Sequence, residues 1–494
     1  MPTRPVQHAF AGFRARDHEG IVVSSRRGML KASLAGICGL SAADLLRARA
    51  ADTPVRPGNA MGAGDARNGQ ATNRPVSGRS VILLWLAGGP SHIDTWDPKP
   101  DRPIENRGPF GVIDTRLPGV KICEYLPKQA AMLDKFTLIR SVDARFSNHE
   151  PNTVFQTANL EAEPRINPKA EMYPALAAVV AKHHGANQPG MPPYVAFMKS
   201  RSHLAFAGYL GKQYDPFLAE QAARLPIYDL IGNDTGARSG ADLFRLPTHL
   251  DASRLDDRGH LLASLDRLQR GLDLRGSMDA MDAYSRKAVE MVTGERARQA
   301  FDLSLEPEEV RQKYGSHLWC QQALLARRLV EAGVAFVTLD LSYHTASGTW
   351  DTHGDNIPPY GGIWNGLRPL LPLFDHLSTT LVQDLEERGL LQNTLVLAMG
   401  EFGRTPRIGT QGSSDGRDHW PVVMSMLVAG GGYRHGQVIG STESDGGQIR
   451  ERPVTPGDLA ATIFHHMGVP LDFTYEDDKR RPIRVISDGS PIFS

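Results

Sequence analysis

Histidine and carboxylate recur together at four places in this chain, each soon after a short apolar run. After 81–86 comes Gly88-Gly89-Pro90-Ser91-His92-Ile93-Asp94. After 136–142 comes Asn148-His149-Glu150. After 335–341 come His344 and then Asp351-Thr352-His353. After 394–399 come Gly400-Glu401-Phe402-Gly403-Arg404 and then Arg417-Asp418-His419. Neutral imidazole with carboxylate is a ligand set for zinc, manganese or iron. Two neighbouring metals stabilise both the attacking and the leaving oxygen of a phosphoryl or sulfuryl displacement. A guanidinium such as Arg404 grips a tetrahedral oxyanion through forked hydrogen bonds. A hydroxyl such as Ser91 becomes a nucleophile once a metal activates it. Each feature alone has a plainer reading. Ser91 fits a turn or cap, Arg404-Thr405-Pro406 fits a turn, and His149-Glu150 fits a helix start with Asn148 capping before Pro151. The chemical reading rests on convergence, since packing alone does not explain four such clusters.

The elements that must position these residues alternate between two kinds. Residues 81–86, 136–142, 193–198, 335–341, 394–399 and 422–429 read as buried strands, being short, continuous and apolar. Residues 172–183, 367–388 and 456–467 carry helical periodicity, the second closed by Gly389. This alternation predicts an α/β fold with a mostly parallel central sheet flanked by helices. Ligand sites of such sheets lie past the carboxyl ends of the strands, where the four clusters fall. Residues of about 200–330 are charged, with Leu and Arg at helical spacing, and read as a helical insertion.

The first fifty residues read as an address. Arg26-Arg27 precedes a weakly apolar stretch, 32–46, and then Ala48-Arg49-Ala50, in the order of a secretory signal. The arginine pair resembles a twin-arginine signal. That implies the twin-arginine export machinery as a partner and a periplasmic or extracellular destination. Residues 51–78 lack periodicity and read as a flexible linker, leaving 79–494 as the folded domain. The chain has 55 Lys and Arg against 55 Asp and Glu. Eight of those cations and three of those acids lie in residues 1–50, so the remainder carries a net charge of −5. Such a balance argues against nucleic acid as a partner. No window approaches about 18 uninterrupted apolar residues, so no transmembrane span is expected in the mature form. Cys38, Cys123 and Cys320 offer no metal-binding spacing.

Taken together, Gly-Gly-Pro-Ser-His-Ile-Asp-Thr-Trp-Asp-Pro-Lys-Pro at 88–100, Asn-His-Glu at 148–150, Asp-Thr-His-Gly-Asp-Asn at 351–356, Gly-Glu-Phe-Gly-Arg-Thr-Pro at 400–406 and Gly-Arg-Asp-His-Trp at 416–420 resemble the domain-of-unknown-function family 1501. The resemblance covers about residues 79–470. It implies an alkaline-phosphatase/sulfatase-like fold and a metal site that acts on phosphate or sulfate esters. The implied cofactor is a divalent metal, zinc or manganese, as one or two ions; calcium and magnesium also fit. By position, Asp351, His353 and His419 look like ligands of one metal. Glu401 stands at the second-metal carboxylate, but Phe402 replaces the usual histidine, and Gly88-Gly89 replace the usual acid ending the first strand. Second-site candidates are therefore Glu401, Asp94, His92 and His149, with Ser91 and Arg404 as catalytic candidates. No Cys or Ser stands in the context that formylglycine sulfatases need. The expected activity is thus an exported metal-dependent hydrolase of small-molecule or glycan esters, not of the formylglycine type. The alternative is a catalytically degenerate secreted binding protein for sulfated or phosphorylated glycans. A mutase or isomerase is a third class, against which export argues.

Overall fold

The structure, a computed structural model, describes residues 78–147, 149, 153–163, 167–240, 294–345, 347–354, 360–410 and 412–493. The signal and nearly all of the linker lie outside these residues, as do Asn148, Glu150 and Asp355. One eight-stranded sheet organises the described residues. Its strands are β1 (Ser80–Trp85), β2 (Phe136–Val142), β3 (Tyr194–Phe197), β4 (Phe217–Leu218), β5 (Phe336–Asp340), β6 (Thr394–Met399), β7 (Met424–Gly430) and β8 (Gln437–Ile439). Their order is β8-β2-β7-β6-β1-β5-β3-β4. β1 pairs in parallel with both β6 and β5, placing Leu83 between Leu397 and Thr338. β7 alone runs against its neighbours. The fold is α/β with a mostly parallel sheet, as the alternation predicts.

Successive side chains of a strand point to opposite faces, and β1 feeds two cores in this way. Ile82 and Leu84 join Trp319, Leu325, Phe374 and Leu381 on one face, beneath helices α2 (Leu318–Ala332) and α3 (Arg368–Glu387). Val81, Leu83 and Trp85 join Leu176, Val180, Leu459 and Phe464 on the other, beneath α1 (Leu176–His183) and α4 (Pro456–Met467). Burial on both faces explains why these strands read as unbroken apolar runs rather than as alternating ones. α1 starts at Leu176 rather than at 172, because Tyr173 precedes Pro174 and is driven out of the helical region. α4 opens on a capping box between Thr455 and Asp458, with Pro456 at its first position, and ends at Gly468.

The 200–330 segment carries helices Glu295–Phe301, Glu308–Tyr314 and α2. Ahead of them the chain makes short 3-10 turns, β4, and a two-stranded ribbon of Pro226–Tyr228 with Asp234–Arg238. Residues 241–293 lie outside the described residues. Cys123 and Cys320 are buried and free. No helix among the described residues is long and apolar enough to cross a membrane.

Candidate metal centre

The carboxyl ends of β1, β5 and β6 lie side by side, and the loops leaving them are locked to one another. Trp350, fully buried, donates its indole N–H to the Leu341 carbonyl at 2.9 Å and its backbone N–H to that of Ala87 at 3.0 Å. This fold-back brings the 348–354 loop against the end of β1. Gly88 makes the approach possible. Its φ is +120°, and a Cβ there would stand 2.2 Å from the Asp351 nitrogen. No side chain, and so no carboxylate, fits at position 88. Beyond β6, Gly403–Arg404 pairs antiparallel with His419–Trp420, setting Arg404 opposite His419 and returning the histidine to the same edge.

Four side chains meet at that edge. The ligand atoms of His149, Asp351, His353 and His419 all lie within 4.8 Å of one another. The Nε2 of His419 is 2.8 Å from that of His149 and 2.9 Å from that of His353. Asp351 Oδ1 lies 3.0 Å from His353 Nε2, and its Oδ2 lies 3.3 Å from His149 Nε2. Glu401, fully buried, stands behind this group. Its Oε1 accepts the Gly88 N–H at 2.9 Å and lies 2.6 Å from His149 Nδ1, while its Oε2 has no partner.

Arg404 is fully buried and turned inward. Its Nη2 is 2.6 Å from Asp351 Oδ1 and also meets the Gly88 carbonyl, and its Nε donates to the Gly89 carbonyl at 2.9 Å. The guanidinium therefore aims a carboxylate and ties down the β1 loop. Ser347 donates its hydroxyl to Asp351 Oδ2. Phe402, at the position where the resemblance expects a histidine, packs its ring 4.8 Å from those of His149 and His419.

Ser91, His92 and Asp94 are not part of this cluster. Asp94 is held by Arg417 at 2.6 Å and accepts the Ser91 hydroxyl at 2.5 Å, with all three buried. The Ser91 oxygen in turn takes the Asp94 N–H at 3.2 Å, a local turn bond. His92 Nε2 is 2.8 Å from the Gly446 carbonyl, and burial lowers its pKa. These groups form a structural network that braces the loop after β1.

Burial pushes the Asp351 carboxyl up, but Arg404, His149 and His353 outweigh it and hold it well below the usual carboxylate range. Burial opposes charge on His149, yet Asp351 and Glu401 raise its pKa. His419 is pushed down to about 2 by burial, Arg404 and His149. The roles of Ser347 and Gly88 were not legible as site features. The only hints are the four-residue spacing from Ser347 to Asp351 and the Gly-Gly pair itself.

Three solved structures illustrate what the chain is similar to. Ps i-CgsB in complex with k-i-k-neocarrahexaose is 11% identical over 84% of this chain and 75% of that one, with a TM-score of 0.40. The phosphonate monoester hydrolase of Agrobacterium radiobacter is 13% identical over 84% and 76%, with a TM-score of 0.35. The C-terminal periplasmic domain of EcEptC from Escherichia coli, in complex with Zn, is 10% identical over 81% and 84%, with a TM-score of 0.32. None of the curated proteins matches the chain. The family model described as "Protein of unknown function (DUF1501)" matches residues 78–493, and the chain belongs to that family.

Proposed function

We propose that this protein is an exported, metal-dependent hydrolase of phosphate or sulfate esters, working without a formylglycine. The observation that carries the proposal is the convergence of His149, Asp351, His353 and His419 on one point. The donor set fits a divalent cation. The Nε2 atoms of His149 and His353 both face that of His419, at 2.8 and 2.9 Å. One divalent cation between them would take a lone pair from each of the three imidazoles. Three imidazoles with one carboxylate suit zinc or manganese. A bound ion supplies Lewis acidity at the ester oxygen and makes water a nucleophile near neutral pH.

The chain's own residues then have distinct tasks. Glu401 fixes the tautomer of His149, and Arg404 with Ser347 orients Asp351. Phe402 walls the site with an apolar ring, which strengthens the electrostatics inside it. Ser91 stays committed to Asp94, so attack falls to water rather than to a side-chain hydroxyl. The ester class comes from the resemblance, and export from the Arg26-Arg27 signal with delivery to the periplasm or beyond.

One observation favours the second reading, a binding protein on a degenerate scaffold. Arg404 and Arg417 are both spent on internal partners, so neither meets a substrate anion. Metal analysis of the purified protein, beside a panel of aryl phosphates and aryl sulfates, separates the two. The hydrolase reading expects retained metal and a turnover that His353→Ala abolishes. Tight metal without turnover supports the binding protein, and neither metal nor turnover in added zinc, manganese or calcium overturns the hydrolase.

A further inference from the structure

The ribbon of Pro226–Tyr228 with Asp234–Arg238 turns at a tip of unusual composition. Asp229, Gly232 and Asn233 are ordinary turn residues, but Leu230 and Ile231 stand between them, 54% and 61% exposed. The tip is held in one shape. Asp229 Oδ1 accepts the N–H groups of Ile231 and Asn233 at 3.0 and 2.8 Å, and its Oδ2 accepts the Asn233 side-chain amide at 2.9 Å. Gly232, at a φ of +90°, lies against the Tyr343 ring, where a Cβ would stand 2.7 Å from Cε2. Two large aliphatic side chains are thus fixed in solvent rather than folded back. Adjacent apolar exposure of this kind marks an interaction or ligand site.

A cavity of about 380 Å³ opens at this tip, with Leu230 and Ile231 as part of its wall. Tyr343 and Leu370 add apolar surface, and no charged side chain lines the cavity among the described residues. Tyr343 is fixed: its ring stacks on that of Trp319 at 4.4 Å, and its hydroxyl lies 2.8 Å from His317 Nε2. Ligand pockets have this character, with volumes of about 300–1,000 Å³, mainly apolar walls and few polar groups. A charged group entering here would lose its hydration without gaining a partner, whereas an apolar group gains by leaving water. The cavity also borders the loop that carries the metal ligands. Thr349 lines it two residues before Asp351, so their Cα atoms are at most about 7 Å apart. Gly361 lines it too, and its carbonyl accepts the N–H of Gly354, the residue after His353, at 3.3 Å.

We propose that this cavity binds an uncharged apolar group, aliphatic or aromatic, and that the ester acted on at the metal centre is one of an apolar alcohol rather than of a sugar. The ester rests on the hydrolase reading; the apolar binding does not. The test titrates the full chain with 1-hexanol, p-cresol and methyl glucoside, read by saturation-transfer NMR, and offers it hexyl and methyl phosphate and hexyl and methyl sulfate. Hexanol and p-cresol are expected to bind saturably with dissociation constants on the order of millimolar, and the glucoside is not. Leu230→Ser and Ile231→Ser, both exposed and outside the metal cluster, each weaken that binding about fivefold and leave retained metal unchanged. For at least one of the two acids the hexyl ester exceeds the methyl ester in kcat/KM by about tenfold or more, and Ile231→Ser removes most of that preference. No saturable binding of hexanol or p-cresol, binding indifferent to both variants, or equal binding of the glucoside overturns the proposal. It is overturned as well by a concentration-dependent dimer that Ile231→Ser abolishes, which gives the tip to a second copy, or by co-sedimentation with phosphatidylcholine vesicles that the same variant abolishes, which gives it to a membrane. Apolar binding in a protein that turns over no ester leaves the cavity's role standing and removes the hydrolase reading; equal turnover of hexyl and methyl esters overturns the apolar-alcohol assignment and leaves the hydrolase standing.

Discussion

Glu401 and Arg404 touch the ligands of the candidate centre rather than joining them, and that division of labour is testable side chain by side chain. Glu401 decides which nitrogen of His149 carries the proton, and outer partners of this kind typically tune metal affinity by about 10–100-fold. Glu401→Gln is therefore expected to weaken zinc binding by that order, measured by chelator competition, with the circular dichroism spectrum unchanged. Asp94 gives the opposite pattern. It is a buried partner of Arg417, and stranding such a cation costs about 3–5 kcal/mol. Asp94→Ala should lower the denaturation midpoint accordingly while the folded fraction keeps its metal; loss of metal at full stability would return Asp94 to the ligand list. At this scale Asp351, His353 and His419 were legible because strand-end position and motif agree. His149 was one of several candidates, since nothing in its local sequence says which carboxylate it faces. His92 and Asp94 share the same residue types and differ only in their tertiary partners, Gly446 and Arg417.

At the scale of elements, the centre depends on how closely two loops approach. Gly88→Ala would push a methyl into the Trp350–Asp351 backbone at a φ that only glycine adopts readily. It is expected to destabilise the protein by more than about 1 kcal/mol and to weaken metal binding at the same time, seen as a lower melting temperature and lower retained metal in one preparation. A second inter-element joint is Asp375 of α3, whose carboxylate accepts the N–H groups of Lys128 and Gln129 at 2.8 and 2.7 Å. Burial pushes its pKa up from 3.8 to about 6. The folded state thus holds this proton more tightly than the unfolded one. Its contribution to stability is fully present below about 4 and falls as pH rises through about 6. Melting temperatures across that window should show a falling contribution in the wild type that Asp375→Asn lacks. The strands of four to seven residues were readable as apolar runs, because both faces of the sheet are covered. β4, with two residues, and the 226–238 ribbon offered no periodicity long enough to read.

Across the whole molecule, the mostly parallel sheet gathers chemistry onto one edge. Loops after β2, β5 and β6 supply the four side chains of the cluster, and Gly88 after β1 lets the 348–354 loop approach. The sequence predicted that edge through its four polar clusters. The balanced composition, with 17 histidines, takes its meaning from where three of them meet. Anomalous diffraction from crystals grown with zinc tests the central claim most directly. The account predicts one strong peak enclosed by the Nε2 atoms of His149, His353 and His419 and a carboxylate oxygen of Asp351. No peak there, or a peak ligated instead by His92 and Asp94, would contradict it.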